Sequence, residues 1–257
     1  VRYSYITNRY AMGSRVYMDD LSPYKNSDGT YSKIIAGMQE IPWSLSVFGM
    51  PDSLILESHP GNSTYHGQLA GDMNCLCGKY FQDKNVTIGM HRITKKNEAQ
   101  YTHMLIPKNV YDSFLEQDGW IFMEKNGAYF SIHPLKDGKT DTAYSWNGDS
   151  EIITESADTA FVCEAAGDEY GSFDEFVSAV QNKTSISYQI SDGRSCLSYT
   201  AADGREISLD YNSGIGSVDG TAASYADAAV IESPYVKCFD GEAQLVNHDN
   251  IYKVKVE

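Results

Sequence analysis

Asn126-Gly127 constrains this chain more than any other pair of residues in it. A type I′ turn needs positive φ at both central positions, and asparagine and glycine reach that conformation at least cost. Flanked by Trp120–Glu124 and Ala128–His133, with Lys125 leading in, the pair reads as the tip of a β-hairpin. Asp192-Gly193 and Asp203-Gly204 punctuate the later chain in the same way, between Ser185–Ile190, Cys196–Thr200 and Glu206–Tyr211. A sequence that keeps turning back on itself every few residues must pair its strands antiparallel.

Further strands are expected at residues 1–18, paired about Asn8-Arg9, and through Ile34–Leu56, where Gly49-Met50-Pro51-Asp52 supplies a turn. Asn85–Ile93 alternates, with Val86, Ile88 and Met90 on one side and Thr87, Gly89 and His91 on the other. Tyr101–Ile106 is a strand stopped by Pro107; Glu151–Thr154 and Thr159–Glu164 follow, and the C-terminus closes with strands near 235–239, 242–247 and 252–256. Asn109–Gln117 reads as one or two helical turns, with Asn109 as cap and Asp112 three residues on. Residues 19–33 and 212–228 read as loops.

One helix is expected near 172–181. Ser172 is its N-cap, Glu175 the capping-box partner, and Phe173, Phe176, Val177 and Val180 recur at i, i+3, i+4 and i+7. The fold class is therefore all-β, a large antiparallel β-sandwich of supersandwich type, with residues 1–257 as one domain. Helices do not alternate with strands, which disfavours a parallel β/α fold. Because the chain begins at Val1, we expect a processed chain or the C-terminal part of a longer one.

A net charge of −15 excludes nucleic acid and anionic membranes as expected partners, since both need a positive surface. No run approaches the ~20 apolar residues of a spanning helix, and no leader is read at the N-terminus. The five cysteines lack paired CxxC spacing, so neither a zinc ribbon nor a disulfide framework is indicated, and the compartment (secreted, periplasmic or cytoplasmic) stays open.

The chemistry-bearing stretch is Trp43–Gly67. An apolar run breaks into a loop pinned by Pro60, Gly61 and Gly67 that carries His59 and His66, the arrangement of a rigid scaffold with a functional loop. Histidines capping turns would read identically. His91, with Arg92 beside it, and His103, two residues after Tyr101, lie on neighbouring strands. On a strand Tyr101 and His103 share a face, where a half-buried, hydrogen-bonded histidine is the plainer explanation. His59, His66 and His103, with Asp72 or Glu57, offer enough ligands for a structural zinc; otherwise no cofactor is indicated.

Glu164 follows Phe161-Val162-Cys163 and is expected to face inward, as a catalytic carboxylate or as the anchor of a buried hydrogen-bond network. Trp43 and Trp120 lie in apolar runs and are expected in the core, whereas Trp146 lies in a polar turn and is the better candidate to stack on a sugar. His133 and His248 read as strand-end or turn residues without a role. No GxSxG and no phosphate-cradling glycine loop is present.

One order of features resembles a known family. Trp43, His59-Pro60-Gly61, His66-Gly67, Asn85-Val86, Tyr101-Thr102-His103, Asp118-Gly119-Trp120 and the stretch from Val162-Cys163-Glu164 to Gly171-Ser172-Phe173 are similar to the C-terminal β portions of heparinase II/III-type polysaccharide lyases, which are large bacterial carbohydrate-active proteins. The resemblance spans about residues 1–190. It implies an upstream helical domain, an oligo- or polysaccharide partner, and β-elimination on acidic polysaccharide in a cleft between the two domains. That chemistry needs a base, a donor to the leaving oxygen and groups that hold the enolate charge. The resemblance casts His59, His66, His103 and Tyr101 as catalytic, and Tyr65, His91, Arg92 and Trp146 as substrate-binding. Glu40-Ile41-Pro42 departs from the polar step expected before Trp43. The alternative is a carbohydrate-binding or structural module that performs no chemistry.

Overall fold

The computed structural model describes residues 2–15, 48–50, 53–58, 78–92, 101–141, 143–191, 194–223, 231–232, 236–239, 242–247 and 250–255. The chain divides into two compact units, Val1–Ala222 and Ala223–Glu257.

The central sheet of the first unit runs β5 (Gly78–Asp83), β6 (Val86–Arg92), β13 (Asp158–Ala166), β10 (Ala128–Lys136), β9 (Trp120–Lys125) and β8 (Ser113–Gln117), antiparallel throughout. A second sheet has the order β11 (Ser145–Asn147), β12 (Glu151–Glu155), β7 (Tyr101–Leu105), β4 (Ser53–Ser58) and β3 (Phe48–Met50). A third is a meander of β14 (Ser185–Ser191), β15 (Arg194–Thr200), β16 (Glu206–Asp210), β17 (Gly216–Val218) and β18 (Thr221–Ala222). The hairpin β1 (Arg2–Ile6)/β2 (Ala11–Arg15) turns at Asn8-Arg9, as the sequence leads one to expect. The second unit is a four-stranded antiparallel sheet, β19 (Ile231–Glu232), β20 (Val236–Phe239), β21 (Glu242–Asn247) and β22 (Asn250–Lys255). The all-β reading holds.

Turn chemistry accounts for the main departure. Asn126 (φ 52°) and Gly127 (φ 74°) make the expected hairpin, and Asp118 (φ 52°) and Gly119 (φ 82°) make a second one immediately before it. That second turn draws Ser113–Gln117 into β8, so the helix read over Asn109–Gln117 shrinks to one 3₁₀ turn, Lys108–Val110. Asp112 caps no helix. Its carboxylate accepts from the Asn126 amide at 2.8 Å and from Lys125 Nζ at 3.2 Å, bracing the next hairpin. The loop read over 212–228 likewise contains the β17–β18 hairpin, turned by Asp219 (φ 49°) and Gly220 (φ 76°).

The single helix among the described residues, α1 (Phe173–Lys183), starts where the cap predicts: Ser172 Oγ accepts from the Glu175 amide at 3.2 Å. The Glu175 carboxylate reaches one residue further back than a capping box requires, taking the Gly171 amide at 2.9 Å. Phe176, Val177, Ala179 and Val180 form its buried stripe.

Layering explains the burial. On one face of the central sheet Phe130, Ile132, Phe161 and Cys163 join a single cluster with Met104, Ile106 and Ile152, with Met12 of β2 and with Tyr10 just before that strand. On the other face Phe122 meets Phe176 of α1, Trp120 meets Tyr199 of β15, and the Phe81 ring lies against Gly216 of β17. The sheet is thus the middle of three layers. Strand β6 is buried on both sides, and β10 is buried along eight of its nine residues, so the alternation in Asn85–Ile93 separates two interiors rather than an inside from an outside. Gly89 is required here because a methyl at its position would run into the Phe161 ring and Tyr80. Pro134 is tolerated within β10 because β9 pairs only as far as Ile132↔Ile121, two residues short of it.

Candidate functional site

Five of the residues proposed from sequence as a site, His91, Arg92, Tyr101, His103 and Trp146, fall among the described residues. His59, Tyr65 and His66 lie outside them, as does Trp43. His103 is fixed in the backbone register of β7, opposite Ile153 on one side and Ser58 on the other. Tyr101, opposite Glu155 on the same strand, is half-buried.

His91 faces the interior between the central and second sheets and is 1% exposed. Its Nε2 hydrogen-bonds the Tyr80 hydroxyl from the adjacent strand, the two rings meeting edge-on at 5.3 Å. Tyr80 pairs with Gly89, so it is the diagonal neighbour of His91, and the glycine leaves room for it. Thr159, directly opposite His91, accepts from the Thr102 hydroxyl of β7 at 3.2 Å, closing that end of the interface. Arg92 points to the other face, where it pairs with Asp158 at 2.6 Å and lies over the Tyr211 ring at 5.9 Å. Neighbours in sequence thus serve opposite layers.

Trp146 occupies edge strand β11, not a turn, and both its polar handle and one ring face are engaged. Lys108 Nζ sits 3.7 Å from the ring centroid, and the indole N–H donates to Glu116 at 2.8 Å. Glu116 also accepts from the Tyr144 hydroxyl at 2.9 Å and from Lys108 Nζ at 3.1 Å. Burial pushes the Glu116 carboxyl up in pKa, but these three donors outweigh it and hold the group below its ordinary value. Nothing in the sequence marks Glu116, because its three partners come together only when two sheet edges meet.

Glu164 does face inward, at 2% exposure, and anchors a network between the central and third sheets. It accepts from the Tyr199 hydroxyl at 2.6 Å and from the Ala202 amide at 3.1 Å. Burial raises its pKa and raises that of Tyr199 as well. Arg205, from the same hairpin tip, bonds Asp83, Asp203 and Asn85, and Asn85 donates to the Ala165 carbonyl at 2.7 Å. His133 is no strand end: it lies mid-strand, 4% exposed, with its ring edge-on to Trp120 at 4.9 Å, and burial pulls its pKa down to about 4.

An open cavity of about 280 Å³ is lined by Thr7, Asn8, Gly167, Asp168 and Glu169. Its acids are already engaged: Asp168 takes Arg9 at 2.6 Å and Asn8 at 2.8 Å, and Glu169 takes the Gly167 amide at 2.6 Å. Among the described residues no three His, Cys, Asp or Glu side chains gather to hold a metal, and no helix is long and apolar enough to cross a membrane. Comparison with known proteins finds no matching family model, no matching curated protein and no matching solved structure.

Proposed function

We propose that this chain is a supporting β module of a polysaccharide-degrading protein, of the kind implied by its likeness to the β portion of heparinase II/III-type lyases. It braces an upstream helical domain and the polysaccharide held there, and it does no chemistry itself. One observation carries the reading. Two acid–base pairs among the described residues, Tyr80 with His91 and Glu164 with Tyr199, lie between layers and contact each other, beyond the reach of a polymer. A general acid or base must come within hydrogen-bond distance of the proton it moves, and a polysaccharide ring cannot pass through a packed sheet.

The test uses the full-length parent on uronate-containing polysaccharide, following unsaturated product by ultraviolet absorbance. His59→Ala and His66→Ala variants are expected to keep the parent's activity. A loss of roughly 10²-fold or more in either transfers the chemistry to that loop and removes the supporting role.

A further inference from the structure

We propose that Glu164 is a latch: its protonation state sets how tightly the β15–β16 hairpin, and with it the third sheet, is held against the central sheet, tighter in acid than in alkali. The geometry places one carboxylate of β13 under the hairpin tip, where it takes the Tyr199 hydroxyl of β15 at 2.6 Å and the Ala202 amide of the tip at 3.1 Å. Among the described residues these two donors are the hairpin's hydrogen bonds to the Glu164 side chain. The tip's other hydrogen bonds to the central sheet run through Arg205 to Asp83 and Asn85 on the β5–β6 turn, beside the packing of Tyr199 on Trp120.

The charged and titratable groups around the latch are few. From the tip come Arg205, whose charge is shared with Asp83 and Asp203, and Asp203 itself, which opposes ionisation. Tyr199 comes from β15 and Tyr170 from the segment before α1; Tyr10, just before β2, is more remote, and Cys163 precedes Glu164 on its own strand. From β10, Ser131 bonds only the Glu164 backbone carbonyl, at 3.3 Å, and His133, on the same face two residues on, has its pKa pulled down to about 4 by burial and so stays neutral above about pH 5. Desolvation is the largest influence on the carboxyl and acts against its charge; the two donors and Arg205 counter it only in part.

The sign follows by linkage. With the hairpin undocked, Glu164 is an ordinary glutamate; docked, it holds its proton to higher pH. Docking is therefore fully favourable below the ordinary glutamate value. It weakens by up to about tenfold per pH unit above that value, and it levels off once the docked carboxyl ionises.

Hydrogen exchange on the full chain, read at the amides of residues 197–207 and corrected for intrinsic rates, tests this between about pH 5 and about pH 8. Protection of the tip is expected to fall across that range in the wild type, stay level in Glu164→Gln, and leave residues 128–133 unchanged. Tyr199→Phe removes a donor that favours the charge, so its fall is expected to continue to higher pH than in the wild type. A flat wild-type profile overturns the proposal, as does an equal slope in Glu164→Gln. If Glu164→Gln does not fold, an unshifted profile in Tyr199→Phe overturns it.

Discussion

The indole N–H of Trp146 donates to the carboxylate of Glu116 at 2.8 Å, and that one bond joins the edges of two sheets, β11 of the second and β8 of the central. With Tyr144 and Lys108 on the same carboxylate, Glu116 closes the rim of the sandwich much as a hydrophobic core closes its middle.

Glu116→Ala strips three donors of their acceptor at a partly exposed site. We expect a loss of about 1–2 kcal/mol in urea unfolding, together with a change in Trp146 fluorescence. The carboxyl is held below its ordinary value, so its contribution is complete above that value and is lost as pH falls through the folded one. Glu116→Gln should accordingly flatten the acid limb of a stability–pH curve and leave stability near pH 7 little changed in slope.

His91→Ala opens a void beside Tyr80 between two layers. The expected cost is about 2–4 kcal/mol, measured by thermal or denaturant unfolding. Binding of oligosaccharide by the folded fraction should be unaltered. A selective loss of binding at full stability would restore His91 to the substrate.

Gly89→Ala pushes a methyl into the Phe161 and Tyr80 rings. Overpacking of about 1–3 kcal/mol is expected. Phe161→Leu in the same chain should recover part of it, and a double-mutant cycle measures the coupling.

Ser172→Ala removes the acceptor for the Glu175 amide and should cost about 1 kcal/mol. The effect should appear as faster exchange in the first turn of α1, because Phe176 and Val180 still hold the rest of the helix on the central sheet.

What could be read beforehand was local. Asn126-Gly127, Asp203-Gly204 and Ser172 with Glu175 each act within a few residues, and each forms the turn or cap its chemistry dictates. Asp118-Gly119 speaks the same language, but its effect runs back over Ser113–Gln117, where Phe114 and Leu115 fit a helical turn as well as a strand; pairing with β9 decided between them. Glu164 was legible as inward-facing from the apolar residues before it. Its partner Tyr199 is 35 residues away and unmarked. The same distance problem hides Glu116 from Trp146 and accounts for His91, whose alternation with Ile88 and Met90 reads as exposure until a second layer covers it. Sheet-to-sheet contacts leave no periodic trace in a sequence.

The chain visits the second sheet at β7, returns to the central sheet for β8 to β10, crosses again for β11 and β12, and comes back as β13 between β6 and β10. Cutting anywhere in 137–157 therefore parts β13 from β6 and β10 and leaves neither half with the whole central sheet. Folding must wait on partners far apart along the backbone, which makes it slow for its size. Shortened versions of this unit should be trimmed only from its ends.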